Sequence, residues 1–87
     1  AIVLEKIPAK LAQEVAQSIS IPVIGIGAGH GVDGQVLVLH DMLGMTHEFN
    51  PRFLRRYMNL FEDMTSAISQ YVTDVKDGEF PNDEEQY

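Results

Sequence analysis

Apolar and polar positions follow two rhythms over the first 26 residues, and the change between them predicts the elements. Ala1 to Leu4 is an unbroken apolar run, β-branched at Ile2 and Val3 and closed by Glu5-Lys6 and then Pro8. Such a run suits a strand buried on both faces. From Pro8 to Ile19 the period lengthens: Leu11, Ala12, Val15, Ala16 and Ile19 recur three and four apart, while Lys10, Gln13, Glu14 and Gln17 take the other side. That is an amphipathic helix with proline in its first turn, where the missing N–H costs nothing. Ser20 breaks the pattern, and Ile21 to Ile26 is a second apolar run with Pro22 near its start, a second buried strand. Strand, helix and strand joined by short turns make a βαβ unit, whose crossover sets the two strands parallel. Two parallel strands cannot cover both faces of a sheet, so further strands are expected from chain beyond these residues. The first residue is not methionine and lies inside the first strand, which also predicts a piece of a longer subunit.

The second half is less regular. Residues 27–34 form a loop with glycine at Gly27, Gly29, Gly31 and Gly34, placed where a strand ends. Glycine there serves either a tight turn or the close approach of a ligand. Val36 to Leu39 is apolar throughout, and its period does not separate a short strand from the first turn of a helix reaching Met42-Leu43; Gly44 ends it. Asn50-Pro51 reads as a cap and first position of a helix over 51–57, carrying Arg52, Arg55 and Arg56 on one basic patch. Leu60, Met64, Ile68, Tyr71 and Val75 trace a stripe that predicts the longest helix, from Asn59 to Lys76, stopped by Asp77-Gly78. An acidic tail follows.

Composition narrows the functional classes. The chain has 87 residues, six basic and thirteen acidic, for a formal net charge of −7. It lacks the basic surface that attraction to phosphate backbones requires, which argues against nucleic acid and anionic membranes as partners. The charge is uneven. Residues 1–61 balance five acids with five bases, whereas residues 62–87 hold eight acids and Lys76. No apolar run approaches the roughly 20 residues of a membrane-spanning helix. The absence of cysteine excludes disulfides and cysteine metal sites, and fits a reducing compartment.

Among candidates for chemistry, Gly29-x-Gly31-x-x-Gly34 has the spacing of a dinucleotide fingerprint but lacks the helix and the distant acid that give the motif meaning. His30, His40 and His47, with Asp33 and Asp41, match no compact metal spacing, and His40-Asp41 reads as a polar helix start. Glu5 differs, because it stands at the carboxyl end of an apolar strand, where barrels and doubly wound sheets place their active sites. It is a candidate general base, with a rim ion pair to Lys6 or the arginines as the alternative.

Three segments go further: Leu4-Glu5-x-x-Pro8, Ile21 to Gly29, and Asp33-Gly34-Gln35-Val36-Leu37-Val38-x-His40-Asp41-x-Leu43-Gly44. In this order and spacing they resemble the carboxyl-terminal third of the ketopantoate hydroxymethyltransferase family, with looser similarity through 51–57 and 71–81. The resemblance implies an α/β fold, a (β/α)₈ TIM barrel of which residues 1–5 would be the seventh strand and 21–26 the eighth. On that reading residues 1–87 are the carboxyl-terminal part of a single barrel domain and not an independent one. The implied reaction moves a one-carbon unit from 5,10-methylenetetrahydrofolate to 3-methyl-2-oxobutanoate, giving 2-dehydropantoate on the route to pantothenate and coenzyme A. Glu5 aligns with the family's proton acceptor; Gly27, Ala28 and Gly29 are expected to line the substrate site. The family's Mg²⁺ chelates the 2-oxo acid and stabilises its enolate, but its acidic ligands are expected upstream, with none in this chain, so the fragment alone should be inactive. The implied setting is a cytoplasmic homo-oligomer, typically a decamer, with the long helix as a contact. Lys6, beside Glu5, departs from relatives that carry an uncharged residue there, and His30 occupies a variable position. Two other readings stand beside this one: a non-catalytic anion-binding barrel piece using the glycine loop and the arginines, and another Mg²⁺-dependent enzyme making carbon-carbon bonds to 2-oxo acids, like the phosphoenolpyruvate mutase and isocitrate lyase relatives.

Overall fold

The computed structural model describes all of residues 1–87. Strand β1 (Ile2–Glu5), helix α1 (Ala9–Ser18) and strand β2 (Val23–Ile26) form the expected βαβ unit. The strands are parallel, in the register Ile2↔Val23 to Glu5↔Ile26. Residues opposite one another in a parallel pair share a face, so Ile2, Leu4, Val23 and Gly25 point one way and Val3, Glu5, Ile24 and Ile26 the other. α1 covers the first face: Val23 and Ala12 are both 0% exposed. The second face has no covering element, and Val3 on it is 60% exposed.

A third strand, β3 (Gly34–Gln35), pairs in parallel with β2 at Ile24↔Gly34 and Gly25↔Gln35, giving the order β1-β2-β3. The sequence reading has two strands here, because a Gly-Gln pair carries no apolar signal. What holds β3 is Asp33. Its backbone N–H donates to the Val23 carbonyl at 2.9 Å, and its Oδ2 accepts the Val23 N–H at 2.8 Å. One carboxylate thus satisfies a strand-edge donor that would otherwise lack a partner.

The apolar run at 36–39 resolves as irregular chain leading into a single-turn helix, α2 (Leu39–Met42), which carries His40 and Asp41. The helix expected over 51–57 is absent: this stretch has one turn, with the Leu54 N–H on the Pro51 carbonyl. An isolated helix of that length is marginal in water, and tertiary bonds win. The Arg56 guanidinium donates to the carbonyls of Thr46, His47 and Phe49 at 3.0, 3.1 and 2.8 Å, which bends residues 46–56 into a closed loop. The loop's ends meet where the Tyr57 N–H reaches the Met42 carbonyl at 2.8 Å. Beyond it, Leu60 and Phe61 donate to the carbonyls of Leu43 and Gly44, both at 3.0 Å, and launch the long helix α3 (Leu60–Asp77). Gly78 ends α3 in the left-handed conformation at φ 74°, and the Glu79 N–H returns to the Asp74 carbonyl at 2.8 Å.

The apolar stripe of α3 stays uncovered, with Ile68 60% and Tyr71 56% exposed; only Phe80 folds back, edge-on to Tyr71 at 5.5 Å. The molecule measures 66 × 26 × 14 Å, with a radius of gyration of 21.2 Å. A compact chain of this length would have about 12 Å. No helix is long and apolar enough to cross a membrane.

Candidate active site

Glu5 is the last residue of β1 and lies on the face that α1 leaves bare, at the carboxyl ends of the parallel strands. It opens on a cavity of about 980 Å³. Three segments supply the walls: Glu5 to Ala9 after β1, Gly27 and Gly29 after β2, and Phe49, Pro51, Arg52 and Phe53 from the closed loop. Glu5 is exposed at this rim. Its carboxylate makes no hydrogen bond within the chain, so both oxygens are open to a ligand.

The strand ends hold this geometry through two unusual backbones. Lys6 has φ 54°, the left-handed region, while its N–H donates to the Ile26 carbonyl at 2.9 Å and ties the end of β1 to that of β2. A side chain there costs roughly 1–2 kcal/mol. Relief of that strain, less the roughly 0.5–1 kcal/mol of added freedom glycine brings to the unfolded chain, leaves Lys6→Gly stabilising by up to about 1.5 kcal/mol. Urea unfolding of the full-length subunit should show a raised midpoint with an unchanged slope; a lowered midpoint would mean that the Lys6 side chain contributes more than its backbone costs.

At Gly27, φ is 63° and a Cβ would come within 2.8 Å of the Phe53 ring, so glycine is required both for conformation and for the approach of Phe53. Gly29 has φ 79° and sits against the Ala9 side chain at the start of α1, which locks the glycine loop onto the helix. Gln35 completes the loop, its Nε2 donating to the Gly29 carbonyl at 2.7 Å.

Of the three loop residues expected at the site, Gly27 and Gly29 line the cavity with Glu5 and Ala28 does not. Ala28 is 1% exposed, its methyl turned in against the Gly25 backbone. The glycine loop alternates, so its middle residue serves packing. The single arginine patch is also corrected, since without a helix the three side chains part. Arg52 lines the Glu5 cavity, Arg55 lines a neighbouring cavity of about 670 Å³ with His30, Gln35 and Tyr57, and Arg56 is spent on loop carbonyls. Gly27 and Phe53 border both cavities and form the partition between them. His47 stacks on Phe61 at 4.2 Å, and His40 lies on α2, so the three histidines do not converge. No group of three or more His, Asp or Glu side chains is placed to hold a metal ion. Phe49 and Phe53 are not expected at the site from the sequence, and Pro51 reads there only as a helix start, because nothing periodic marks a loop that folds back over the strand ends.

Comparison with known proteins bears on this arrangement. The sequence profile of the ketopantoate hydroxymethyltransferase family matches residues 1–83. A protein of Christiangramia forsetii named 3-methyl-2-oxobutanoate hydroxymethyltransferase is 74% identical over all 87 residues. Proteins of the same name from Flavobacterium johnsoniae and Phocaeicola vulgatus are 73% identical over 86 residues and 69% identical over 87. The chain spans about a third of the length of these curated relatives, 32% in each case.

Proposed function

The chain belongs to the ketopantoate hydroxymethyltransferase family, and from that membership we propose that its full-length subunit transfers a hydroxymethyl group from 5,10-methylenetetrahydrofolate to 3-methyl-2-oxobutanoate, giving 2-dehydropantoate, with Glu5 as proton acceptor. The C3–H bond of the oxo acid breaks, its proton passes to the Glu5 carboxylate, and the electron pair becomes the enolate. Water adds to the donor's one-carbon unit and breaks its bonds to N5 and N10, its two protons passing to those nitrogens as tetrahydrofolate leaves; C3 then bonds to the freed formaldehyde-level carbon, and the proton held by Glu5 returns to its oxygen as the hydroxyl. The observation that carries this reading is the placement of Glu5: an unengaged carboxylate at a strand's carboxyl end, opening on a cavity whose far wall is the glycine loop. A base so placed needs only to reach the C3 proton, and its contribution belongs to proton transfer.

Mg²⁺ in this family chelates the oxo acid and stabilises its enolate. On this reading the ion would be held by acidic residues elsewhere in the subunit, and the role of this chain's Glu5 is the proton transfer.

The same reading makes residues 1–87 the carboxyl-terminal part of one (β/α)₈ barrel. It is supported by the unpaired outer edge of β1 and by the bare apolar face of Val3, Ile24 and Ile26, which a barrel interior would fill with side chains from other strands. Closing a barrel also uses the second edge of β2, so the two-residue β3 has to be displaced or extended when the remaining strands arrive. The exposed stripe of α3 suits burial in a homo-oligomer, a decamer in the family, and a cytoplasmic location goes with it. The test is direct. Full-length subunit with Mg²⁺ and both substrates should form 2-dehydropantoate, and without the folate it should exchange the C3 proton of the oxo acid with D₂O, EDTA suppressing both. Protein that does neither overturns the reading.

A further inference from the structure

The walls of the Glu5 cavity differ in chemistry from one segment to the next. Glu5 and Lys6 come from the strand end, whereas the loop contributes Arg52 set among Phe49, Pro51 and Phe53. Of the three arginines on this loop, Arg56 is tied to backbone carbonyls and Arg55 faces the other cavity. Of the three, Arg52 alone lines the Glu5 cavity, and its guanidinium makes no hydrogen bond to the chain. A planar fork of donors beside apolar rings suits a ligand that joins an aromatic ring to a carboxylate.

We propose that Arg52 binds a glutamate carboxylate of the folate donor, with Phe49 and Phe53 as the apolar wall along which the donor's ring system lies. This rests on the reaction proposed above and deepens it, dividing the cavity between a proton-transfer end at Glu5 and a donor-recognition end on the loop. Arg52 is then a specificity-determining residue for the second substrate and has no part in breaking the C3–H bond.

The two half-reactions test it in the full-length subunit with Mg²⁺. Loss of a hydrogen bond to a charged group is worth about 10- to 100-fold in binding, so Arg52→Gln should raise KM for 5,10-methylenetetrahydrofolate by about that factor. Donor-independent exchange of the C3 proton, and its KM for 3-methyl-2-oxobutanoate, should stay within about twofold of the parent. That exchange also certifies that the variant is folded. The matching probe is 5,10-methylenetetrahydropteroate, which lacks the glutamate: the parent should lose affinity for it by the same factor, and Arg52→Gln should no longer distinguish it from the folate. Arg52→Lys should recover part of the loss, and Arg55→Gln should change neither half-reaction. A rise in KM for the oxo acid in the exchange assay would assign Arg52 to the first substrate and overturn the proposal. So would an unchanged folate KM, or a variant that still prefers folate to pteroate. Failure of the parent protein to exchange or to form product would instead count against the proposed reaction itself.

Discussion

Glu5→Gln in the full-length subunit will slow both C3 proton exchange and overall turnover by about 10²- to 10⁴-fold, the range a positioned general base contributes, while the Kd for 3-methyl-2-oxobutanoate moves by less than about threefold. The substitution keeps the size and shape of the side chain and removes its capacity to take a proton. Nothing in the fold depends on the charge, since Glu5 is exposed and its carboxylate holds no partner within the chain. A structural role predicts a different pattern. If Glu5 served as a rim ion pair with Lys6, the variant would lose some stability and keep its exchange rate. Exchange in D₂O, followed by loss of the C3 proton signal, separates the two without requiring the folate step. Parent-like exchange in a folded Glu5→Gln protein would remove Glu5 from the role of base.

The largest effect on stability is expected at Gly44. Its φ is 72°, and a Cβ there would be driven against the Met58 carbonyl oxygen, with the Asn59 Cα at 3.1 Å. Both obstacles are backbone, and that backbone is held in place by the bonds from Leu60 and Phe61 to the carbonyls of Leu43 and Gly44. Gly44→Ala therefore combines roughly 1–2 kcal/mol of left-handed strain with about 1–3 kcal/mol of forced displacement. A loss of about 2–5 kcal/mol in the urea unfolding of the full-length subunit should follow. Gly78→Ala is the internal comparison. Its φ is nearly the same at 74°, but nothing lies within 4 Å of the added methyl, so it should cost only the conformational part, about 1–2 kcal/mol. Equal losses at the two positions would show that the close approach at Gly44 contributes nothing.

The elements that could be read from the sequence are those with a period. β1, α1, β2 and α3 each bury or present apolar residues at a spacing of their own, and their observed bounds fall within about two residues of the expected ones. β3 was invisible because its pairing depends on the Asp33 carboxylate meeting the Val23 N–H ten residues earlier, which no local pattern encodes. The Asn50-Pro51 signal misled for the opposite reason. It is a sound local cap, overruled by Arg56 collecting three carbonyls and by Phe53 packing over Gly27. The site divides along the same line. Glu5, Gly27 and Gly29 were legible because parallel strand ends converge wherever a βαβ unit forms. Arg52 is legible only as one of three arginines in a basic patch, and Phe49 and Phe53 not as site residues at all, since they arrive on a loop whose path is set by its own internal bonds.

That loop has a further consequence for how the molecule assembles. Its two ends are joined by the bond from Tyr57 to Met42, only 15 residues back along the chain, and Arg56 fastens its interior to carbonyls seven to ten residues away. Contacts this local carry a small closure entropy, whereas β1 pairs with β2 only across the whole of α1. Segment 42–61 thus closes largely through its own bonds, so residues between Met45 and Arg56 can be exchanged with the strand that carries Glu5 left untouched.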